Sequence, residues 1–242
     1  MVLRAIAAVM VLLSAAPQSV AAGGGPVVLY YVQRPPFMGR DAKDNLAGVL
    51  IPPVAAAFAK AGIPVVWSEA SPLRQVTIIQ SNAVRACSIG RYKTPERAAF
   101  AKFSVPYYQD SSWVGLTNVA FNAADHVRAA DLMADPHVTV LIKDDIKFGP
   151  YVDNLIAHMK ARRVGSASDY DQLIRMIQAR RADFTLISGE EETYYRDKLG
   201  LTDKDFKIIH FSDMPAGEKR YLMCSKLVED AEMERINAGL LK

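Results

Sequence analysis

The residues best suited to chemistry stand together in Gly90-Arg91-Tyr92-Lys93-Thr94-Pro95-Glu96-Arg97. Thr94 is a natural helix N-cap and Pro95 a natural first helical residue, so Arg97 falls in the first turn of a helix. A cation there opposes the helix dipole, which favours anions at N-termini. Unless Glu96 neutralises it, the guanidinium and the free N–H groups together form a site for a carboxylate or phosphate. The alternative is a surface arginine paired with Glu96. Catalytic patterns are scarce elsewhere: there is no Gly-x-Ser-x-Gly and no His-Glu-x-x-His. His126, His137, His158 and His210 are isolated in sequence and read as surface residues. Four His and two Cys cannot build a structural zinc site of closely spaced ligands, and no cofactor motif is present. Gly23-Gly24-Gly25 precedes the first strand instead of following it, so it reads as a linker and not as a phosphate loop.

An arginine of this kind needs elements to hold it. Val27–Val32 is an apolar, β-rich run stopped by Arg34-Pro35-Pro36. Pro52-Pro53 opens a helix carrying Val54, Ala57, Phe58 and Ala61 at helical spacing, and Gly62 caps it. Val65–Trp67 reads as a strand, Ser71-Pro72 as the start of a second helix, and Ala86–Ile89 as a third strand. This β-α-β-α-β order is the pattern of a parallel sheet with helices on its faces. The rhythm returns after Ser111: strands at Trp113–Thr117, Val138–Ile142 and Asp183–Ile187, and a helix opened by Gly149-Pro150. Ser168 with Asp171, and Ser188 with Glu191, read as capping boxes of two more helices. Phe206–Phe211 and Tyr221–Met223 are late strands, and Leu227–Leu241 is a closing helix. The chain is therefore an α/β protein in two halves.

Of 242 residues, half are hydrophobic and 23% charged, a globular composition. A net charge of +3 without clustering is too weak a field for a nucleic-acid binder. Residues 1–22 read as a signal peptide: Arg4, then the apolar Ala5–Leu13, then Ser19-Val20-Ala21-Ala22 as the cleavage site. The mature chain is then exported and periplasmic, an oxidising space in which Cys87 and Cys224 either pair or stay as two buried thiols.

The stretch from Gly90 through Phe103-Ser104-Val105-Pro106-Tyr107-Tyr108 resembles the signature of the family 3 extracellular solute-binding proteins. These are the periplasmic components of polar amino-acid ABC importers, in which Thr-x-x-Arg is followed by Phe-Ser-x-Pro-Tyr. Arg34-Pro35-Pro36-Phe37, Gly48, Arg181-Ala182-Asp183 and Ser225-Lys226 support the resemblance, which covers nearly all the chain after residue 22. It implies the two-lobed, type II periplasmic-binding-protein fold, each lobe a mostly parallel sheet flanked by helices with the ligand cleft between. Lobe 1 would comprise residues 23–110 and 214–242, and lobe 2 residues 111–213. It also implies that the strand Tyr221–Met223 lies beside Ala86–Ile89, which would bring Cys224 close enough to Cys87 for a disulfide.

Position by position, the resemblance makes Arg97 the residue that clamps a ligand carboxylate through a bidentate pair. Gly90 and Tyr92 match cleft-lining positions. Arg34 and Phe37 lie where the family has an aromatic wall, and Tyr31 is a candidate for the same wall. Lobe 2 departs from the pattern. Lys143-Asp144-Asp145 stands in place of Gly-Thr-Thr, and Ser188 in place of the Asp that holds the α-amino group. Glu190 is the candidate substitute, against its reading as a solvated helix cap. These departures point to an anionic or zwitterionic, oxygen-rich solute gripped by Arg97, Arg34 and Lys143, not to an ordinary amino acid. The function implied is a monomeric solute-binding protein with no cofactor that presents its solute to an ABC permease. The alternatives are an accessory or sensory protein serving a periplasmic enzyme or signalling system, and an enzyme like the cyclohexadienyl dehydratases using Glu190 or Asp144 as its acid.

Overall fold

The protein is described from a computed structural model covering residues 24–144 and 146–241. The signal sequence expected at residues 1–22 lies outside the described residues. Among those described, no helix is long and apolar enough to cross a membrane.

Strand β1 (Val27–Tyr31) alternates buried and half-buried residues, and a small hairpin, β2 (Gly39–Arg40) with β3 (Leu46–Ala47), follows it. Helix α1 (Ile51–Ala61) has Pro52-Pro53 in its first turn and ends at Gly62 in the left-handed conformation that only glycine adopts without strain. Then come β4 (Val65–Glu69), α2 (Pro72–Ser81) capped by the Ser71 hydroxyl, β5 (Ala86–Arg91), α3 (Pro95–Phe100), β6 (Lys102–Phe103) and β7 (Tyr108–Gln109). The second half runs β8 (Trp113–Asn118), α4 (Ala129–Ala134), β9 (Thr139–Lys143), α5 (Pro150–His158), β10 (Arg162–Ser166) and α6 (Tyr170–Gln178). It continues through β11 (Phe184–Ser188), α7 (Gly189–Leu199) and β12 (Phe206–Ile209). The chain then returns as β13 (Lys219–Cys224) and closes with α8 (Asp230–Leu240).

Two sheets result, ordered β4-β1-β5-β13-β6, with β7 on β13, and β10-β9-β11-β8-β12. Within them β4, β1 and β5 are mutually parallel, as are β10, β9 and β11. The sheets are mixed, however, because β13 runs against β5 and β8 against β11. These are the strands that enter each sheet from the other lobe, so no crossover helix turns them round. The first sheet packs against α1 and α8 through Val54, Phe58, Met233 and Ile236; the second buries apolar side chains on both its faces.

Local differences from the sequence reading have local causes. Asp169, not Ser168, caps α6, its carboxylate accepting the Gln172 N–H at 3.1 Å. The closing helix starts at Asp230, after a capping box between Glu229 and Glu232, and β12 stops at Ile209. Strand β10 has no apolar alternation to announce it, since it begins Arg162-Arg163 and lies at the sheet edge.

Cys87 and Cys224 are direct cross-strand partners of β5 and β13 and form a disulfide. The bond closes a segment of 137 residues, which restricts the unfolded chain. Replacing both by serine is expected to cost about 3 kcal/mol of stability. A denaturant midpoint equal to that of the oxidised parent would show that the crosslink adds nothing.

Candidate functional site

A cleft of about 760 Å³ opens between the two sheets, walled by the ends of β1 and β5 and the start of α2 on one side and by the end of β9 on the other. This is where an open α/β sheet offers a crevice, beyond the carboxyl ends of its parallel strands. Arg34, Arg91, Arg97, Arg220, Lys143 and Lys147 all contribute to its wall.

Arg34 spans the cleft. Its Nε donates to Glu191 Oε1 at 2.7 Å and its Nη2 to Oε2 at 3.0 Å, a two-pronged pair between the loop after β1 and the first turn of α7. The Glu191 side chain is fully buried and also receives the Ser188 hydroxyl at 3.0 Å. The same hydroxyl caps α7 by accepting the Glu191 N–H, so Ser188 has a capping role here. Burial works against the charge on Arg34, but the Glu191 carboxylate more than offsets it and holds the guanidinium above its ordinary pKa.

Arg91 has no such partner. It is fixed by neutral oxygens alone: Ser88 Oγ at 2.6 Å, Gln75 Oε1 at 2.7 Å and the Pro72 carbonyl at 3.2 Å. Gln75, itself buried, is locked by donating to the Tyr31 and Ala70 carbonyls. Burial, with Arg97, Arg220 and Arg34 nearby, pushes the Arg91 pKa down to about 9. Arg97 donates to the Tyr92 carbonyl at 2.9 Å and is likewise held below its ordinary value, chiefly by burial. Neither arginine lies within ion-pair distance of a carboxylate among the described residues. Glu96 is exposed and hydrogen-bonds to Thr94; it acts on Arg97 through space but makes no ion-pair contact with it. Helix α3 has only six residues, so the Arg97 side chain, not a helix end, is what this segment presents to the cleft.

Arg220 and Asp110 form a buried pair beneath the cleft. The Arg220 guanidinium lies 4.3 Å from the centre of the Phe37 ring and donates to the Gly90 carbonyl at 2.9 Å. Tyr92, on the cleft wall, donates its hydroxyl to Asp110 at 2.6 Å, and burial raises its pKa. Gly90 has a positive φ of 67°, and a Cβ there would come within 2.8 Å of Met38 and Leu50.

Several expected wall residues lie elsewhere. Tyr31 shares the inward side of β1 with Val27 and Leu29, because strand side chains alternate, and is buried in the core. Phe37 is completely buried and supports Arg34 and Arg220 from below, so neither aromatic is a wall of the cleft. Glu190 faces the crossover segment, accepting from the Tyr108 hydroxyl at 2.9 Å and the Ser111 N–H at 2.8 Å. The buried acid facing Arg34 is its neighbour Glu191, as the turn of the helix requires. Lys143 and Asp144 do line the cleft; Lys143 donates to the Ser168 carbonyl at 2.9 Å and Asp144 pairs with Arg163 at 2.6 Å. Glu191 was visible in the sequence only as a capping residue, and Arg91 only as part of the motif around Gly90. Arg220 and Asp110 carried no signal. Among the described residues no group of three His, Cys, Asp or Glu is placed to hold a metal ion.

No family model matches the chain, and no curated protein does. Solved structures do match in fold. An ancestral arginine-binding protein bound to arginine superposes with a TM-score of 0.70 at 17% identity, covering 90% of this chain and 91% of the other. An amino acid ABC transporter substrate-binding protein from Streptococcus pneumoniae, bound to L-arginine, gives 0.68 at 17% identity over 90% and 87%. An ancestral amino acid-binding protein described as a precursor of cyclohexadienyl dehydratase gives 0.67 at 18% over 90% and 88%. The chain shares the two-lobed α/β fold of these amino acid-binding proteins.

Proposed function

We propose that this chain is a periplasmic solute-binding protein that captures a small, polar, carboxylate-bearing solute between its lobes and presents it to an ABC permease. The observation that carries the reading is the pair of cleft guanidiniums, Arg91 and Arg97, with no carboxylate among the described residues in ion-pair contact with either. A half-buried cation without a contacting counter-charge is incompletely solvated, and a bound anion relieves that. The fold supports the reading, since the similar proteins include amino acid-binding proteins, two of them bound to arginine. In this view residues 23–110 with 214–242 move as one body against 111–213, and closure is driven by contacts that the solute makes to both lobes. The protein works as an exported monomer.

A second reading, an accessory or sensory protein of the same fold, is favoured by one feature: the protein's own side chains, Arg34 and Glu191, form a two-pronged ion pair that bridges the lobes. Thermal unfolding in the presence of amino acids, organic acids and phosphorylated solutes separates the two. A ligand at 100 times its dissociation constant should add about 2.7 kcal/mol. A shift with carboxylates supports solute capture; no shift across the series sinks it and leaves the accessory role.

A further inference from the structure

We infer that the cleft selects a small organic dianion, a dicarboxylate or a phosphomonoester, by reading its two charges with Arg91 and Arg97 together, and that it rejects zwitterions. The inference rests on the cleft being a solute site and goes further by assigning the class of solute.

Two sets of contacts support it. The first concerns the acids available to hold an ammonium group. Glu191 is occupied on both oxygens by Arg34, and Asp110 by Arg220 and Tyr92. Asp144 is engaged by Arg163, and Glu69 is exposed at the rim. Glu190 has one buried oxygen without a partner, but it is turned to Tyr108 and Ser111 and does not line the cleft. Among the described residues that line the cleft, no buried carboxylate is left to receive a ligand's positive charge, so a free amino group entering it would meet mainly cations. The second concerns the guanidiniums. Arg34 and Arg220 are neutralised in place, whereas Arg91 and Arg97 share one cavity with only neutral oxygens as partners. A monoanion leaves one of the two unanswered; a dianion satisfies both. Arg91 is also pre-positioned: Gln75 and Ser88 hold its fork from behind, so little rotamer freedom is lost when an oxyanion binds.

Titration calorimetry at constant ionic strength tests this with succinate and glycerol 3-phosphate as dianions, acetate as monoanion, and glycine and L-arginine as zwitterions. The dianions are expected to bind about 100-fold more tightly than acetate or the amino acids, from the additional charge-assisted hydrogen bonds. Whichever dianion binds better identifies the source of the second charge. Arg91→Gln is expected to bring the dianions down close to the acetate level, a far larger loss than acetate itself suffers; Arg91→Lys should keep part of the preference. Acetate, glycine or L-arginine binding to the unaltered protein as tightly as the dianions would overturn the inference while leaving solute capture intact. An equal loss for every probe in Arg91→Gln would likewise overturn it. If none of the five binds, solute capture falls and the inference with it. Because the comparison of probes is made first on the unaltered protein, it does not depend on a variant folding.

Discussion

Glu191→Ala should swing the two lobes apart. The substitution leaves Arg34, whose side chain is only 14% exposed, buried with no counter-charge. Breaking a buried pair from one side costs about 3–5 kcal/mol. Unfolding a lobe is not needed to relieve that cost, because Arg34 sits on the loop after β1, facing the opposite lobe, and separation of the lobes returns it to water. A bias of that size moves a two-state equilibrium by roughly two to four powers of ten. Small-angle scattering is expected to report a larger radius of gyration for Glu191→Ala than for the parent, with helix content unchanged. The double variant Arg34→Met with Glu191→Leu removes both charges together, and such replacements are often neutral or stabilising, so it should return to the compact profile. A single variant with the parent's scattering profile and melting temperature would show that the bridge does not hold the lobes together.

Arg97→Ala should lower affinity for the solute by about 100-fold, with little effect on the empty protein. Truncating one partner of a buried, hydrogen-bonded charge pair costs about 2–5 kcal/mol of binding. The guanidinium makes one hydrogen bond, to the Tyr92 carbonyl, from a half-buried position. A single bond of that kind is worth about 1 kcal/mol or less. Affinity and stability should therefore separate: a large change in the dissociation constant and a small change in melting temperature. Arg97→Lys keeps the charge but loses the fork, and should fall between alanine and the parent. An Arg97→Ala protein binding succinate or glycerol 3-phosphate within a few-fold of the parent would remove Arg97 from the site.

The elements that the sequence announced are those governed by neighbouring residues. The Pro52-Pro53 start and Gly62 stop of α1, the Ser71 and Thr94 caps and the alternation of β1 all depend on interactions within a few positions. The resemblance around Gly90 to Tyr108 added what spacing cannot supply, the placing of Cys224 beside Cys87 across 137 residues. It also led to Arg97, which lies in the cleft wall. Tyr31 and Phe37 were misjudged because an aromatic near a binding loop reads the same whether it faces the cleft or the core; β1's pleat decides, and it turns Tyr31 inward.

What the sequence settled by itself was a two-part α/β chain and an arginine, Arg97, in the first turn of a short helix, because capping, alternation and helical spacing are local. Which charges cancel was decided only when the chain folded. Arg34 meets Glu191 across 157 positions and Arg220 meets Asp110 across 110, while Arg91 and Arg97 are in ion-pair contact with no carboxylate among the described residues. Coulomb interactions act through space and weaken with distance and solvent, so a sequence lists the charges but only packing assigns their partners.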